Sequence, residues 1–170
     1  IDVSIDRVVR GDAGVTIKLT NGDEQQFDKV IFACHADQVL NLIGDVSDEE
    51  KQAFQKWDYI PNHTVLHTDS SVLPANKRAW SSWNFTQEKE TGLDKPISLS
   101  YDMNNLQGLK TEKQYVVTLN RIKPIPEEHI IREINYKHPN FTIGTLASRK
   151  LIRQLNGQKH SYFVGSYMGY

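Results

Sequence analysis

Val30-Ile31-Phe32-Ala33-Cys34-His35-Ala36-Asp37-Gln38 is the stretch on which the fold turns. Its first five residues are apolar without alternation, the mark of a strand buried on both faces in a layered sheet. His35 to Gln38 leave that strand, and Val39, Leu40, Leu42 and Ile43 follow as a short helix. Towards the start of the chain, Val3, Ile5, Val8 and Val9 form one strand, and Val15, Ile17 and Leu19 alternate in a second. Asn21-Gly22 marks a hairpin, because both residue types tolerate positive φ, and Gln25 to Phe27 returns from it. Together these make a β-meander. Beyond Ile43, Ser47 sits as an N-cap with Glu50 at the capping-box position. Strands are expected at 64–68, 79–85, 97–101, 115–119 and 130–136, with a polar surface loop at 87–95. Ile143, Leu146, Ala147, Leu151, Ile152 and Leu155 recur at helical spacing, and Gly157 stops that helix. Tyr162 to Gly165 is a last buried strand, expected to pair with Val30–Cys34 apart from the main sheet. Strands dominate without regular βαβ alternation. The fold class is therefore α+β, a mostly antiparallel sheet with helices on one face.

Composition narrows the function. The 170 residues are 38% hydrophobic and 24% charged, a globular balance, with 20 Lys+Arg against 21 Asp+Glu. A net charge of −1 gives no electrostatic footprint for nucleic acid. One cysteine excludes an internal disulfide framework. No apolar run is long enough for a membrane span and no signal-peptide pattern opens the chain, so a cytoplasmic location is expected. The chain starts at Ile1 inside a strand-like pattern and ends soon after an apolar run, which reads as a piece of a longer protein.

Four places carry candidate chemistry. Cys34-His35 ends a buried strand, at the edge where layered sheets bind ligands. As strand neighbours their side chains point to opposite faces, which argues against a nucleophile–base pair. His63, His67 and Asp69 share a strand face. The two histidines are about 13 Å apart along a strand, too far for one metal ion, so no metal site is expected and His67–Asp69 is left as a polar pair facing substrate or satisfied in place. Trp80-Ser81-Ser82-Trp83-Asn84-Phe85 puts aromatic residues on both faces of one expected strand, either a doubly packed central strand or the wall of an apolar cavity. Tyr101-Asp102-Met103-Asn104-Asn105-Leu106-Gln107 is amide-rich, suited to turn capping or to orienting a ligand. There is no G-x-G-x-x-G, no P-loop and no G-x-S-x-G, and no catalytic residue is assigned.

In combination these segments resemble the flavin-containing amine-oxidase-type oxidoreductases, and within them the bacterial predicted NAD/FAD-binding proteins. The resemblance rests on the meander with Val30–Leu40, on Leu66-His67-Thr68-Asp69, Trp80–Asn84, Met103-Asn104, Val117–Asn120, His138-Pro139 and Tyr162–Gly165. It implies FAD as cofactor, held mainly by a Gly-rich turn absent from this sequence. By position, Ile5 would offer its backbone to the adenine, and Cys34, His35 and Gly165 would lie near the dinucleotide. Trp80, Trp83, Tyr101 and Asn104, with His67, are the candidates for a substrate wall above the flavin.

The implied division is residues 1–45 as a partial FAD-binding domain, 46–158 as a substrate-binding domain and 159–170 as the start of a returning FAD-domain strand. The function expected is the substrate-binding region of an FAD-dependent oxidoreductase, moving hydride from an organic substrate, apolar or fatty-acyl, to flavin. Its partners would be the missing FAD-binding domain of the same polypeptide and a small-molecule substrate. The chain alone is expected to be inactive, to bind FAD weakly and to self-associate. The alternatives are a non-catalytic small-ligand-binding domain and a hydrolase or transferase using His67 and Asp69.

Overall fold

The computed structural model describes residues 3–87, 97–121 and 123–169. In chain order it contains β1 (Ile5–Gly11), β2 (Gly14–Leu19), β3 (Glu24–Phe27), β4 (Val30–Phe32), α1 (Ala36–Leu42), α2 (Asp48–Phe54) and β5 (Tyr59–His67). Then come β6 (Trp83–Thr86), β7 (Ser98–Asp102), α3 (Met103–Gln107), β8 (Val116–Leu119), β9 (Ile130–Pro139), α4 (Ile143–Leu155) and β10 (Ser161–Phe163). The fold is α+β, and its sheets are mostly antiparallel. Most of the loop expected at 87–95 lies outside the described residues. The chain divides into two compact units, Ile1–Ile60 with Pro139–Tyr170, and Pro61–His138. Those seams fall at 60 and 139, where the sequence reading drew its boundaries at 45 and 158. The difference arises because α2 and α4 pack against each other in the first unit.

The first unit is built on apolar burial. The meander forms an antiparallel sheet ordered β1-β2-β3. Its β2–β3 turn uses Gly22 at φ 92° while Asn21 keeps negative φ and bonds its side chain to Asp23 N. The loop is therefore longer than a two-residue primed turn. β4 and β10 pair in parallel, Val30 with Ser161 through Phe32 with Phe163, as expected of these two segments, but the pair is buried on one face only: Phe32 and Phe163 point into the core while Ile31 and Val164 are exposed. Val8, Phe32, Val39, Phe54, Ile152, Phe163 and Tyr167 are each 4% exposed or less and pack as one cluster. Ser47 caps α2 through Glu50 N, and Glu50 bonds back to Ser47 N, the reciprocal capping box. Glu50 also accepts two bonds from the buried Arg10 guanidinium, which bonds Asp45 as well. This fork ties β1 to the start of α2. Burial disfavours the ionised Glu50 carboxylate, yet the bonds from Arg10 and Ser47 outweigh it and hold its pKa below the usual value.

The second unit is one five-stranded sheet ordered β6-β7-β8-β5-β9. Pro61, which has no N–H, precedes the Thr64–His67 span that pairs with β8. The aromatic strand expected at 79–85 is shorter: β6 begins at Trp83. Asn76 accepts from Arg78 N and starts a turn of 3₁₀-helix over Lys77–Ala79, which Trp80 closes. Trp80 therefore lies off the strand, and the aromatics of β6 itself, Trp83 and Phe85, share one face. Asp102 caps α3 through Asn105 N, and Gly108 ends it at φ 62°.

Candidate functional site

Cross-strand register sorts the second unit's sheet into two unlike faces. Asn84, Ser100, Thr118 and Val65 lie opposite one another in one row, and Trp83, Tyr101, Val117 and Leu66 form the next. Adjacent rows point to opposite faces. On the first face Asn84, Ser98, Ser100, Asp102, Thr118 and His67 are each 6% exposed or less. On the second, Trp83 is 64% and Phe85 63% exposed, with Leu99, Tyr101, Val117, Leu119 and Leu66 half-buried around them. This reverses the ordinary arrangement, in which a half-buried sheet turns its apolar side inward.

The buried polar face is held by its own hydrogen bonds. His67 Nε2 lies 2.8 Å from Thr118 Oγ1, and Thr118 Oγ1 lies 2.9 Å from Ser100 Oγ. Asp69 N donates to His67 Nδ1 at 3.2 Å, so Nδ1 is the acceptor and Nε2–H the donor to Thr118. Burial pushes the His67 pKa down to about 4, and the nearby Asp69 only partly opposes it. The imidazole is neutral in place. Asn84 accepts from Ser81 N and donates to Ser81 O and Ser100 O, closing the approach to β6. His67 thus bonds Asp69 through the backbone N–H, in a structural array, and its ring is fully buried.

The exposed face carries the aromatic pair. Trp83 and Tyr101 meet edge to face with centroids 5.6 Å apart. Beside them a cavity of about 480 Å³ is lined by Val72, Leu73, Trp83, Phe85, Arg121 and Lys123. Trp80 sits elsewhere: its Nε1 donates to Pro74 O at 2.7 Å, and it packs on Val72, Leu73 and Val116. Asn104 is also committed, donating to Lys113 O and accepting from Tyr115 N. Of the five residues singled out for substrate, the sheet brings Trp83 and Tyr101 together, while His67, Trp80 and Asn104 hold structure. Phe85, Leu99 and Leu119 belong with the pair. The sequence signal for them was the alternation Ser98-Leu99-Ser100-Tyr101, which shows two faces without showing which is buried.

In the first unit, β4 and β10 run parallel and end side by side, so Cys34-His35 and Val164-Gly165 share one sheet end. His35 stacks on Tyr59, centroids 4.3 Å apart, and Tyr59 Oη accepts from Ala36 N at 3.0 Å. Burial pushes the Cys34 thiol pKa up, so it is no activated nucleophile. Gly165, at φ 157°, is required by packing: a Cβ there would come within 2.6 Å of the Tyr167 ring. Ile5 lies at the start of β1, in the meander sheet. Among the described residues, no three His, Cys, Asp or Glu side chains come together to hold a metal.

A dinucleotide cofactor can be tested against this sheet end. Three buried polar atoms in the unit, Tyr167 Oη, Asp37 Oδ1 and Trp57 Nε1, have no hydrogen-bond partner. Asp37 acts electrostatically on Cys34 and Tyr59, and those two act in turn on Tyr167. Such unmet hydrogen-bonding capacity beside two parallel strand ends fits the polar margin of a bound cofactor.

The sequence matches the profile of the flavin containing amine oxidoreductases over residues 3–136. The chain belongs to the flavin containing amine oxidoreductase family. No curated protein matches it. Among solved structures it is similar to a CLA-producing fatty acid isomerase from P. acnes, at 15% identity and TM-score 0.60, covering 99% of this chain and 43% of that one. It is also similar to reduced UDP-galactopyranose mutase, at 14% identity and TM-score 0.62, covering 97% and 41%. The A394C mutant of putrescine oxidase follows, at 10% identity and TM-score 0.60, covering 98% and 43%. At these identities the likeness is one of fold. The chain spans less than half the length of each of these structures. Among its described residues no helix is long and apolar enough to cross a membrane.

Proposed function

We propose that this chain supplies the substrate-binding side of an FAD-dependent oxidoreductase and only the margin of its cofactor site. The observation that carries this reading is the inverted sheet of the second unit, with Trp83, Phe85 and Tyr101 outward over a buried polar face. Burying polar side chains needs a complete set of partners. The bonds among His67, Thr118, Ser100 and Asn84 meet most of that cost, Ser98 Oγ on the same face having no partner, and the apolar side the sheet leaves open suits an organic substrate, apolar or fatty-acyl. Bound flavin would supply a two-electron acceptor for hydride. The chain's own residues then orient the substrate and exclude water: Trp83 and Phe85 flank it, and Tyr101 holds the Trp83 ring edge-on. Cys34, His35 and Gly165 would line the dinucleotide beside the β4 and β10 ends, with Ile5 offering its backbone. The remainder of the FAD-binding domain, with its Gly-rich turn, would come from elsewhere in the same polypeptide, so the 170-residue chain alone is inactive.

The test uses the full-length, flavin-loaded protein. Aliphatic amines and long-chain acyl compounds are screened anaerobically for bleaching of the flavin absorbance. For a compound that bleaches it, Trp83→Ala slows the rate at least about tenfold, a loss of about 1.4 kcal/mol of transition-state stabilisation, with the flavin-to-protein ratio unchanged. An unchanged rate would remove the substrate role from this face.

A further inference from the structure

β9 is the terminal strand of its sheet: β5 lies on one side, and among the described residues no strand lies on the other. It is ten residues long and mostly exposed, with Ile131 at 51% and Tyr136 at 52%. An open edge of this length offers a row of N–H and C=O groups to a further strand. Charged side chains ordinarily block such pairing. Here they are self-complementary, because Glu133 and Lys137 stand two residues either side of Asn135.

We propose that the β9 edge is a homodimer interface, in which a second copy of the chain pairs antiparallel about a twofold axis at Asn135. In that register each Glu133 faces Lys137 of the other copy, and each Ile134 faces Tyr136. Opposite charges and apolar–aromatic pairs directly across two strands are the favourable combinations. A slip of one residue in one direction places Arg132 opposite Lys137, a like-charge pair. A slip in the other direction leaves no Glu–Lys pair at all. Of these three registers, only the one centred on Asn135 sets Glu133 opposite Lys137. Glu133 is half exposed, and its carboxylate lies 3.5 Å from His63 Nε2, within its own chain. Pro139 has no N–H and ends the ladder. The contact is isologous, so it closes at two copies.

Sedimentation velocity of the 170-residue chain over a concentration series tests this. The wild-type chain shows a monomer–dimer equilibrium that weakens with added salt. Glu133→Lys alone and Lys137→Glu alone each bring like charges face to face twice, and each is monomeric with unchanged circular dichroism. Mixing these two variants restores both ion pairs across the axis and gives a heterodimer. The double variant, with the charges exchanged, dimerises again. A wild-type chain that stays monomeric up to its solubility limit would overturn the proposal. So would a dimer indifferent to the single substitutions, or folded single variants that fail to combine.

Discussion

The two units of this chain spend burial differently. The first buries Phe32, Phe54, Phe163 and Tyr167 together and admits one charged fork, Arg10 with Glu50 and Asp45. The second buries His67, Thr118, Ser100 and Asn84 beneath its sheet and turns Trp83 and Phe85 outward. Apolar burial is the dominant favourable term in folding. A sheet that forgoes it on its aromatic side has its stability elsewhere and a surface free to meet a ligand. The comparison separates a unit organised around its core from one organised around a face.

The largest effect should come from the first unit's core. Phe163→Ala removes a ring 1% exposed, stacked on Phe32 and tilted against Phe54. It should cost about 3–5 kcal/mol in urea unfolding. A loss below about 1 kcal/mol would mean that this cluster does not carry the unit.

Acid should distinguish the units next. His67 titrates at about 4 when folded against 6.5 when unfolded, so the unfolded state binds the extra proton. The stability this contributes is complete above pH 6.5 and is lost as pH falls towards 4, about 3 kcal/mol in all. Glu50 and Asp45 have lowered values, so their contribution is present above the ordinary carboxylate range and fades only below it. Amide hydrogen exchange read by unit should show β5, β7 and β8 loosening between pH 6.5 and 4.5 while β4 and β10 stay protected. His67→Gln should flatten that slope. Simultaneous loosening would break the distinction.

The smallest effect should be at Phe85. Its ring is 63% exposed, so Phe85→Ala should change stability by no more than about 0.5 kcal/mol, as surface substitutions do. A loss of several kcal/mol would show the aromatic face to be a packed one.

Much of this was legible in the residues. The unbroken Val30–Cys34 run and the Tyr162–Gly165 run announced two strands paired apart from the main sheet, and β4 and β10 do pair; the burial expected on both faces is met on one, since Phe32 and Phe163 are buried while Ile31 is 64% exposed. Ser47 and Glu50 announced their capping box, and the spacing of Ile143, Leu146, Ala147, Leu151, Ile152 and Leu155 announced α4, although only Ile152 and Leu155 of these are buried. Two things escaped. Arg10 alternates with Val8 on the buried side of β1, and its partners lie 35 and 40 residues away, beyond any local pattern. The polarity of the second sheet was also hidden. Alternation shows that Ser100 and Tyr101 differ in facing, and the usual preference puts Tyr101 inside. The network through Thr118 and His67 decides otherwise, and it exists only once β5, β7 and β8 are paired. Trp80 lies off the strand because it closes the turn capped by Asn76, with Ser81 and Ser82 between it and the start of β6.

The central claim is that this chain holds the substrate side and no more than a margin of the flavin site. Its sequence has no G-x-G-x-x-G turn for a pyrophosphate. Each hydrogen bond from the β4–β10 end contributes only about 0.5–1.5 kcal/mol net, against an immobilisation cost of about 4 kcal/mol or more. Titrating FAD into the purified 170-residue chain, followed by flavin fluorescence and calorimetry, tests this most directly. The account predicts an affinity weaker than about micromolar, the level corresponding to about −8 kcal/mol. A stoichiometric complex of sub-micromolar affinity would contradict it and place the principal cofactor site within these residues.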